Sequence, residues 1–214
     1  MSTSTAADAD ATSMYPLPVQ VDAYVIRRPK LTVYVPQIRG RDGDEAVSHM
    51  NKAIHRQAVR LIRMTGYGEA PDTEVTGSYE IKLNERHYIS LTLLVYGYTD
   101  HAAHGMTYQA GMTMDVRNGR ELKLADLFKP GAPYVKVLSE QVDAQIKARG
   151  IPVLEPFTEI RPDQDFYMTD KALVLFFGLY ELAPYAYGFQ YFPISIYTLQ
   201  DIKAENGIID ALWY

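Results

Sequence analysis

Two amphipathic segments interrupt a chain whose apolar residues otherwise alternate with polar ones along short stretches. A period of two is typical of β-strands with one buried face, and a period of three to four is typical of helices with one apolar stripe. The predicted order is strand, helix, three strands, helix and three strands. Because tight turns join most of these strands, we predict an α+β fold with two main helices and a largely antiparallel sheet.

Turn and cap residues place the boundaries of these elements. Residues 23–35 form one strand, or two strands broken at Pro29, and Pro36 should end the pairing because proline has no N–H donor. The first helix begins after Asp44, a capping residue, and stops at Gly66. The other predicted elements are strands over residues 74–83, 87–98, 106–116, 166–168, 172–180 and 192–197, a helix over residues 134–149, and turns at residues 84–85 and 117–120.

The charge balance argues against a nucleic-acid binder. The chain has 21 Lys and Arg against 26 Asp and Glu, a net charge of -5, and only residues 27–30 form a local basic run. Proteins that bind phosphate backbones need a basic face that releases counterions. The sequence therefore excludes general binding to nucleic acid.

Neither a membrane span nor a signal peptide is predicted in the given chain. No apolar stretch approaches the roughly 20 residues that cross a bilayer, and the start lacks a basic and apolar leader. Residues 1–20 open with small polar residues and are predicted to be a flexible tail or linker. The sequence leaves open whether an anchor or an export signal lies upstream of these residues.

A histidine cluster at a strand junction allows two interpretations. His101 and His104 lie between Asp100 and Gly105. A catalytic zinc takes three protein ligands and keeps an open position, so this pair needs a distant third ligand such as Glu181. In the alternative, these residues serve turn geometry and hydrogen bonds. We favour the turn, because two histidines without a signature spacing are weak evidence, and we expect no metal and no cofactor.

Residues 179–192 are the densest aromatic stretch of a chain with 17 Tyr and 7 Phe. A loop bounded by Pro184 and Gly188 would present Tyr185 and Tyr187 outward, with Gln190 beside them. Rigid tyrosines bury large areas at little entropic cost, which makes them good anchors for a partner. In the alternative, about half of the rings pack into the core by strand alternation.

Several stretches together resemble one known family. The run LTVYVPQIRG, the segment HMNKAI with Asn51, the pair His104-Gly105, NGRELKLADLF, FYMTDKALVLFF, YELAPYAYG and FPISIYTL follow its order and spacing. They are similar to the extracytoplasmic module of RsiV-type anti-sigma factors and PdaC-type peptidoglycan deacetylases. The resemblance implies two closely packed subdomains: a PdaC-type domain over residues 21–103 and an RsiV-like domain over residues 104–214. The RsiV-like domain resembles a subdomain of the Hsp70 ATPase, but this resemblance does not imply ATPase activity.

The resemblance also implies a function. In RsiV-type proteins the module faces outward from the membrane and binds lysozyme, whereas in PdaC-type proteins it accompanies a separate catalytic domain, so the deacetylase reaction is not carried over. We therefore expect a noncatalytic extracytoplasmic binding module at the bacterial cell envelope, with lysozyme or a peptidoglycan-related ligand as partner. The ligand-binding residues would be Tyr185, Tyr187, Gln190, His101, His104 and Glu181.

The alternative is an envelope metal-dependent hydrolase centred on His101, His104 and Glu181.

Overall fold

Two sheets and two long helices form the protein, and the α+β prediction is confirmed. The computed structural model describes residues 17–41, 43–70 and 72–213. The six-stranded sheet contains β1 (Val21–Arg28), β2 (Leu31–Ile38), β3 (Thr73–Glu85), β4 (Tyr88–Thr99), β5 (Met106–Asp115) and β6 (Arg120–Glu121), in that order. The smaller sheet contains β7 (Phe166–Met168), β8 (Ala172–Phe177) and β9 (Gln190–Ser195). The helices are α1 (Glu45–Met64), α2 (Tyr134–Arg149) and the short α3 (Ile208–Ala211).

Among the described residues, neighbouring strands pair antiparallel with one exception. β2 and β3 run parallel, and they pair over only three positions, Leu31 to Val33 against Val75 to Gly77. Parallel neighbours require a crossover connection, which α1 supplies. The prediction of a largely antiparallel sheet is therefore confirmed.

Helix α1 covers one face of the large sheet. Asp44 caps it by accepting a hydrogen bond from the Val47 N–H at 3.1 Å, as its position in the sequence predicts. Its apolar stripe packs against alternate residues of β2, β4 and β5. The buried side chains of this first cluster include Met50, Ile54, Leu61, Val33, Val35, Leu91, Leu93, Met112 and Met114.

Pro36 does not end β2, contrary to the sequence prediction. The strand continues to Ile38, and Pro36 pairs with Ala23 of β1. Because the Arg39 N–H donates to Gln20, the strand's alternation turns the nitrogen of Pro36 away from β1. On that side β3 pairs with only the first residues of β2, so no ladder hydrogen bond is lost there.

Two asparagine side chains complete backbone pairing where strands diverge. The amide of Asn51 on α1 binds both the N–H and the carbonyl of Ile38, at 2.8 and 2.9 Å. The amide of Asn84 binds both backbone groups of Val19 in the same way, at 3.3 and 2.8 Å. Val19 is thus buried at the end of the predicted tail, whose residues 1–16 lie outside the described residues.

The β3–β4 hairpin turns at Arg86 and His87, two residues later than predicted. Both have positive φ, 51° and 69°, and Glu85 still pairs with Tyr88. Asn84, the expected turn residue, instead binds Val19. The Asn118-Gly119 turn lies between β5 and β6 as predicted, with Gly119 at φ 72°.

A second apolar cluster joins α2, the small sheet and the C-terminal segment. It contains Leu138, Val142, Ile146, Leu173, Leu175, Phe192, Ile194, Ile196, Ile208 and Ile209, together with Leu83 and Tyr88 from the large sheet. The boundary proposed at residues 103 and 104 falls in the turn between β4 and β5. Strand β5 lies beyond that boundary but stays in the sheet of the first cluster.

The two sheets meet through small and polar residues. The Ser90 hydroxyl lies 2.8 Å from that of Thr113 and accepts a hydrogen bond from the Met168 N–H at 2.9 Å. A methyl group on Gly111 would lie 1.9 Å from the carbonyl oxygen of Phe166. The backbone of β7 therefore rests directly on β5, and only glycine fits at that position.

Within the part of the chain that the structure describes, no helix is both long and apolar enough to cross a membrane.

The contact between the sheets yields a stability prediction. We expect Ser90→Ala to lower the free energy of unfolding by about 1–3 kcal/mol, because the buried Met168 N–H loses its acceptor. The measurement is urea unfolding followed by circular dichroism.

Thr92→Val is the matched control. The Thr92 hydroxyl is also buried, but among the described residues it has no hydrogen-bond partner, so its loss should leave stability unchanged or raise it. Equal losses in the two variants would contradict the role assigned to the Ser90 hydroxyl.

Candidate functional site

Two loops far apart in sequence meet at one end of the large sheet. Residues 100–105 connect β4 to β5, and residues 178–189 connect β8 to β9. The ring of Tyr185 stacks on that of His104 with centroids 4.3 Å apart, and its hydroxyl donates to the Gly105 carbonyl at 3.0 Å. The Tyr180 hydroxyl lies 3.3 Å from Nε2 of His104. The structure thus brings the predicted histidine and tyrosine clusters together.

Tyr96 extends this surface from β4. Its ring lies over Gly105 so closely that a methyl group there would be 2.2 Å from the Tyr96 hydroxyl. Tyr96, Tyr180 and Tyr187 are 40%, 47% and 56% exposed, respectively. We call the set Tyr96, His104, Tyr180, Tyr185 and Tyr187 the aromatic surface.

Gln190 supports the loop from beneath. Residues Tyr185–Tyr187 form one turn of 3-10 helix between Pro184 and Gly188. The Gln190 amide donates to the Tyr187 carbonyl at 2.6 Å, and its residue is only 6% exposed. Gln190 therefore positions the loop. It does not face solvent beside the tyrosines, which is where the sequence analysis had placed it.

Glu181 belongs to a separate ion-pair cluster. Its carboxylate pairs with the guanidinium of Arg161 and accepts a hydrogen bond from the Gly178 N–H at 2.6 Å. Arg161 also pairs with Asp165, at 3.3 Å. Burial raises the pKa of Asp165, and the nearby guanidinium groups of Arg161 and Arg60 partly oppose that shift.

A small cleft of about 160 Å³ lies next to this cluster. It lies between the C-terminal end of α1 and the first residues of the loop that connects β8 to β9. Its lining includes Arg60, Met64, Asp165, Leu179, Glu181 and Phe189.

The three residues of the metal-dependent alternative have separate partners. The His101 side chain is 94% exposed and lies 3.6 Å from the Asp100 carboxylate, while His104 is stacked on Tyr185 and Glu181 is held by Arg161. Across the described ranges, no three His, Asp or Glu side chains gather where they could hold a metal ion. The structure therefore does not bring His101, His104 and Glu181 together into one site.

The geometry suits adhesion to a partner. Stacked and exposed rings offer broad apolar faces, while phenol hydroxyls at their rims can exchange hydrogen bonds with a ligand. Sequence reasoning singled out neither Tyr96 nor Tyr180 as a contact residue. Tyr96 lies three residues before the end of β4 and outside the first cluster, whereas its neighbour Val95 is buried there. That alternation was the signal the sequence offered.

The two loop tyrosines should differ in their contribution to stability. We expect Tyr185→Ala to lower the free energy of unfolding by about 1–3 kcal/mol, because it removes the ring stacked on His104 and the hydrogen bond to Gly105. Tyr187→Ala should change it by less than about 0.5 kcal/mol, because that ring is mostly exposed. Urea unfolding measures both, and a larger loss for Tyr187→Ala would contradict this geometry.

Comparison with known proteins places this fold. Residues 125–197 match the family model described as protein of unknown function, DUF3298. The chain is 27% identical over 195 residues to anti-sigma-V factor RsiV of Bacillus subtilis strain 168, covering 84% of this chain and 67% of that protein.

Two solved structures share the architecture. A DUF3298 family member from Bacteroides fragilis NCTC 9343 has a TM-score of 0.66 at 14% identity, covering 92% of this chain and 98% of that one. A DUF3298 family protein from Pseudomonas aeruginosa PAO1 has a TM-score of 0.65 at 18% identity, covering 89% of this chain and 96% of that one. The chain therefore carries a DUF3298 domain, of the family described as protein of unknown function, and has the fold of solved members of that family.

Proposed function

We propose that this chain is a noncatalytic regulatory binding module that acts outside the cytoplasm, at the bacterial cell envelope. The observation that carries the proposal is the aromatic surface, in which the Gly105 carbonyl holds the Tyr185 hydroxyl and Gln190 holds the backbone of the loop that carries the exposed Tyr187. Rigid aromatic groups on a turn favour binding, because little side-chain entropy is lost on contact.

Similarity to an anti-sigma factor supports a regulatory role and the extracytoplasmic location. The likeness to RsiV extends over 84% of this chain. The partner we propose is lysozyme, and a peptidoglycan-related ligand is the second candidate.

The charge of the chain fits a basic partner such as lysozyme. A net charge of -5 would accelerate encounter with a cationic protein, and the effect should weaken as salt rises. Stacking at the aromatic surface would then supply most of the affinity, because surface charge pairs contribute little on their own.

The test is calorimetric titration with lysozyme at two salt concentrations. We expect saturable binding that weakens with salt, and a loss of about 30-fold in affinity for Tyr187→Ala, corresponding to about 2 kcal/mol for one tyrosine at the centre of an interface. The matched control is Tyr34→Ala on β2, a ring that is 44% exposed and outside the aromatic surface.

The outcomes separate the candidates. Lysozyme binding that Tyr34→Ala weakens as much as Tyr187→Ala would overturn the site. If the folded protein gives no heat with lysozyme, that partner is rejected, and the same variants titrated with soluble peptidoglycan fragments test the second candidate.

A further inference from the structure

Strand β1 leaves one edge of the large sheet unpaired within the described part of the chain. It is the first strand of the sheet, and its eight residues pair only with β2. The Arg39 N–H bonds the Gln20 carbonyl, so the alternation directs the backbone groups of even-numbered β1 residues toward β2. The backbone groups of Val21, Ala23, Val25 and Arg27 therefore face outward.

This edge carries few of the devices that normally block strand addition. Proteins protect free edges with proline, bulges, charges that point inward or a covering segment. The register of β1 against β2 is continuous from Val21 to Arg28, and no proline interrupts it. The positively charged residues of β1 itself stand at one end, where the Arg28 guanidinium donates to the outward carbonyl of Arg27 at 2.7 Å.

We propose that β1 pairs antiparallel with β1 of a second copy of this chain, joining the two large sheets into one. The sequence of β1 is complementary to itself in a register centred on Val25. That register sets Asp22 opposite Arg28 and Tyr24 opposite Ile26, and two-fold symmetry repeats each pair. Opposite charges and aromatic–aliphatic pairs are both favourable across strands.

Neighbouring registers lack this match. Pairing centred on Tyr24 sets Asp22 opposite Ile26, and pairing centred on Ile26 leaves Asp22 beyond the paired strands. A register centred between two residues would place the outward-facing backbone groups of one strand opposite the inward-facing backbone groups of the other. The hydrogen bonds between the two strands would then be lost.

The surface beside β1 has room for a second strand's side chains. Tyr24 is 48% exposed and borders a cleft of about 570 Å³ that reaches His55 and Lys52 on α1. Tyr24 and Ile26 lie on the same face of β1 as this cleft, so Ile26 of a second copy would pack against Tyr24. The Asp22 side chain is 47% exposed and is already held at this end by Arg39.

Exchange of the charges tests the proposal. Sedimentation equilibrium of the wild-type chain should show a dimer. Arg28→Asp alone sets two carboxylates opposite each other, and Asp22→Arg alone sets two guanidinium groups opposite each other, so each variant should weaken the dimer by at least about tenfold. A mixture of the two restores opposite charges at both ends and should form a heterodimer, which native mass spectrometry resolves by mass.

Two further variants make the test specific. Val25→Pro removes an outward N–H while leaving the hydrogen bonds to β2, so it should abolish the dimer without unfolding the chain, as monitored by circular dichroism. Lys136→Asp on α2 makes the same charge change as Arg28→Asp at an exposed site away from β1 and should leave the dimer intact.

The proposal is overturned if sedimentation equilibrium shows the wild-type chain to be a monomer even at about 100-fold the concentration of a routine assay. It is also overturned if Val25→Pro leaves the dimer unchanged. Failure of the mixed variants to associate would overturn the register centred on Val25. None of these outcomes depends on the aromatic surface, so the proposed function is tested separately.

Discussion

The contact between the β7 backbone and β5 determines how the rest of the molecule is arranged. Gly111 lets the Phe166 carbonyl approach a face of the large sheet that carries hydroxyl groups instead of bulky apolar side chains. An apolar face of ordinary size would hold a second sheet about 10 Å away. Tyr191 on β9 then reaches Gln109 on β5, to which its hydroxyl donates at 2.6 Å, and the loops that precede these two strands meet. The aromatic surface is a product of this docking.

Local patterns were sufficient to predict most elements of the fold. Helix α1 with its Asp44 cap, α2 with its Gly150 stop and the Asn118-Gly119 turn follow from periodicity and capping chemistry. The errors occurred where tertiary contacts override local preference. Pro36 continues a strand because β3 has diverged, and Asn84 is withdrawn from its expected turn by Val19.

The site was harder to predict than the fold, because its members are neighbours only after packing. The hydrogen bond from Tyr185 to Gly105 spans 80 residues of sequence. The same sequence offered Glu181 as a partner for the histidines, whereas in the folded chain its carboxylate pairs with Arg161, 20 residues away in sequence. Gln190 was misplaced for a different reason. A glutamine side chain suits a binding surface, and only its burial in the folded chain shows that it supports the loop.

The β1–β2 hairpin is attached to the large sheet over an unusually short stretch. Three paired positions join β2 to β3, and beyond them the side-chain amide of Asn51 replaces a strand neighbour. Two further contacts tie the hairpin to the rest of the sheet: β2 packs against α1 in the first cluster, and Lys30 in the β1–β2 turn pairs with Asp72 at 2.9 Å. The Asp72 carbonyl accepts a hydrogen bond from the Asp100 N–H at 3.2 Å, so the turn of the hairpin lies at the same end of the sheet as the loop over residues 100–105. A change in the angle of the hairpin would therefore act on that loop through Asp72.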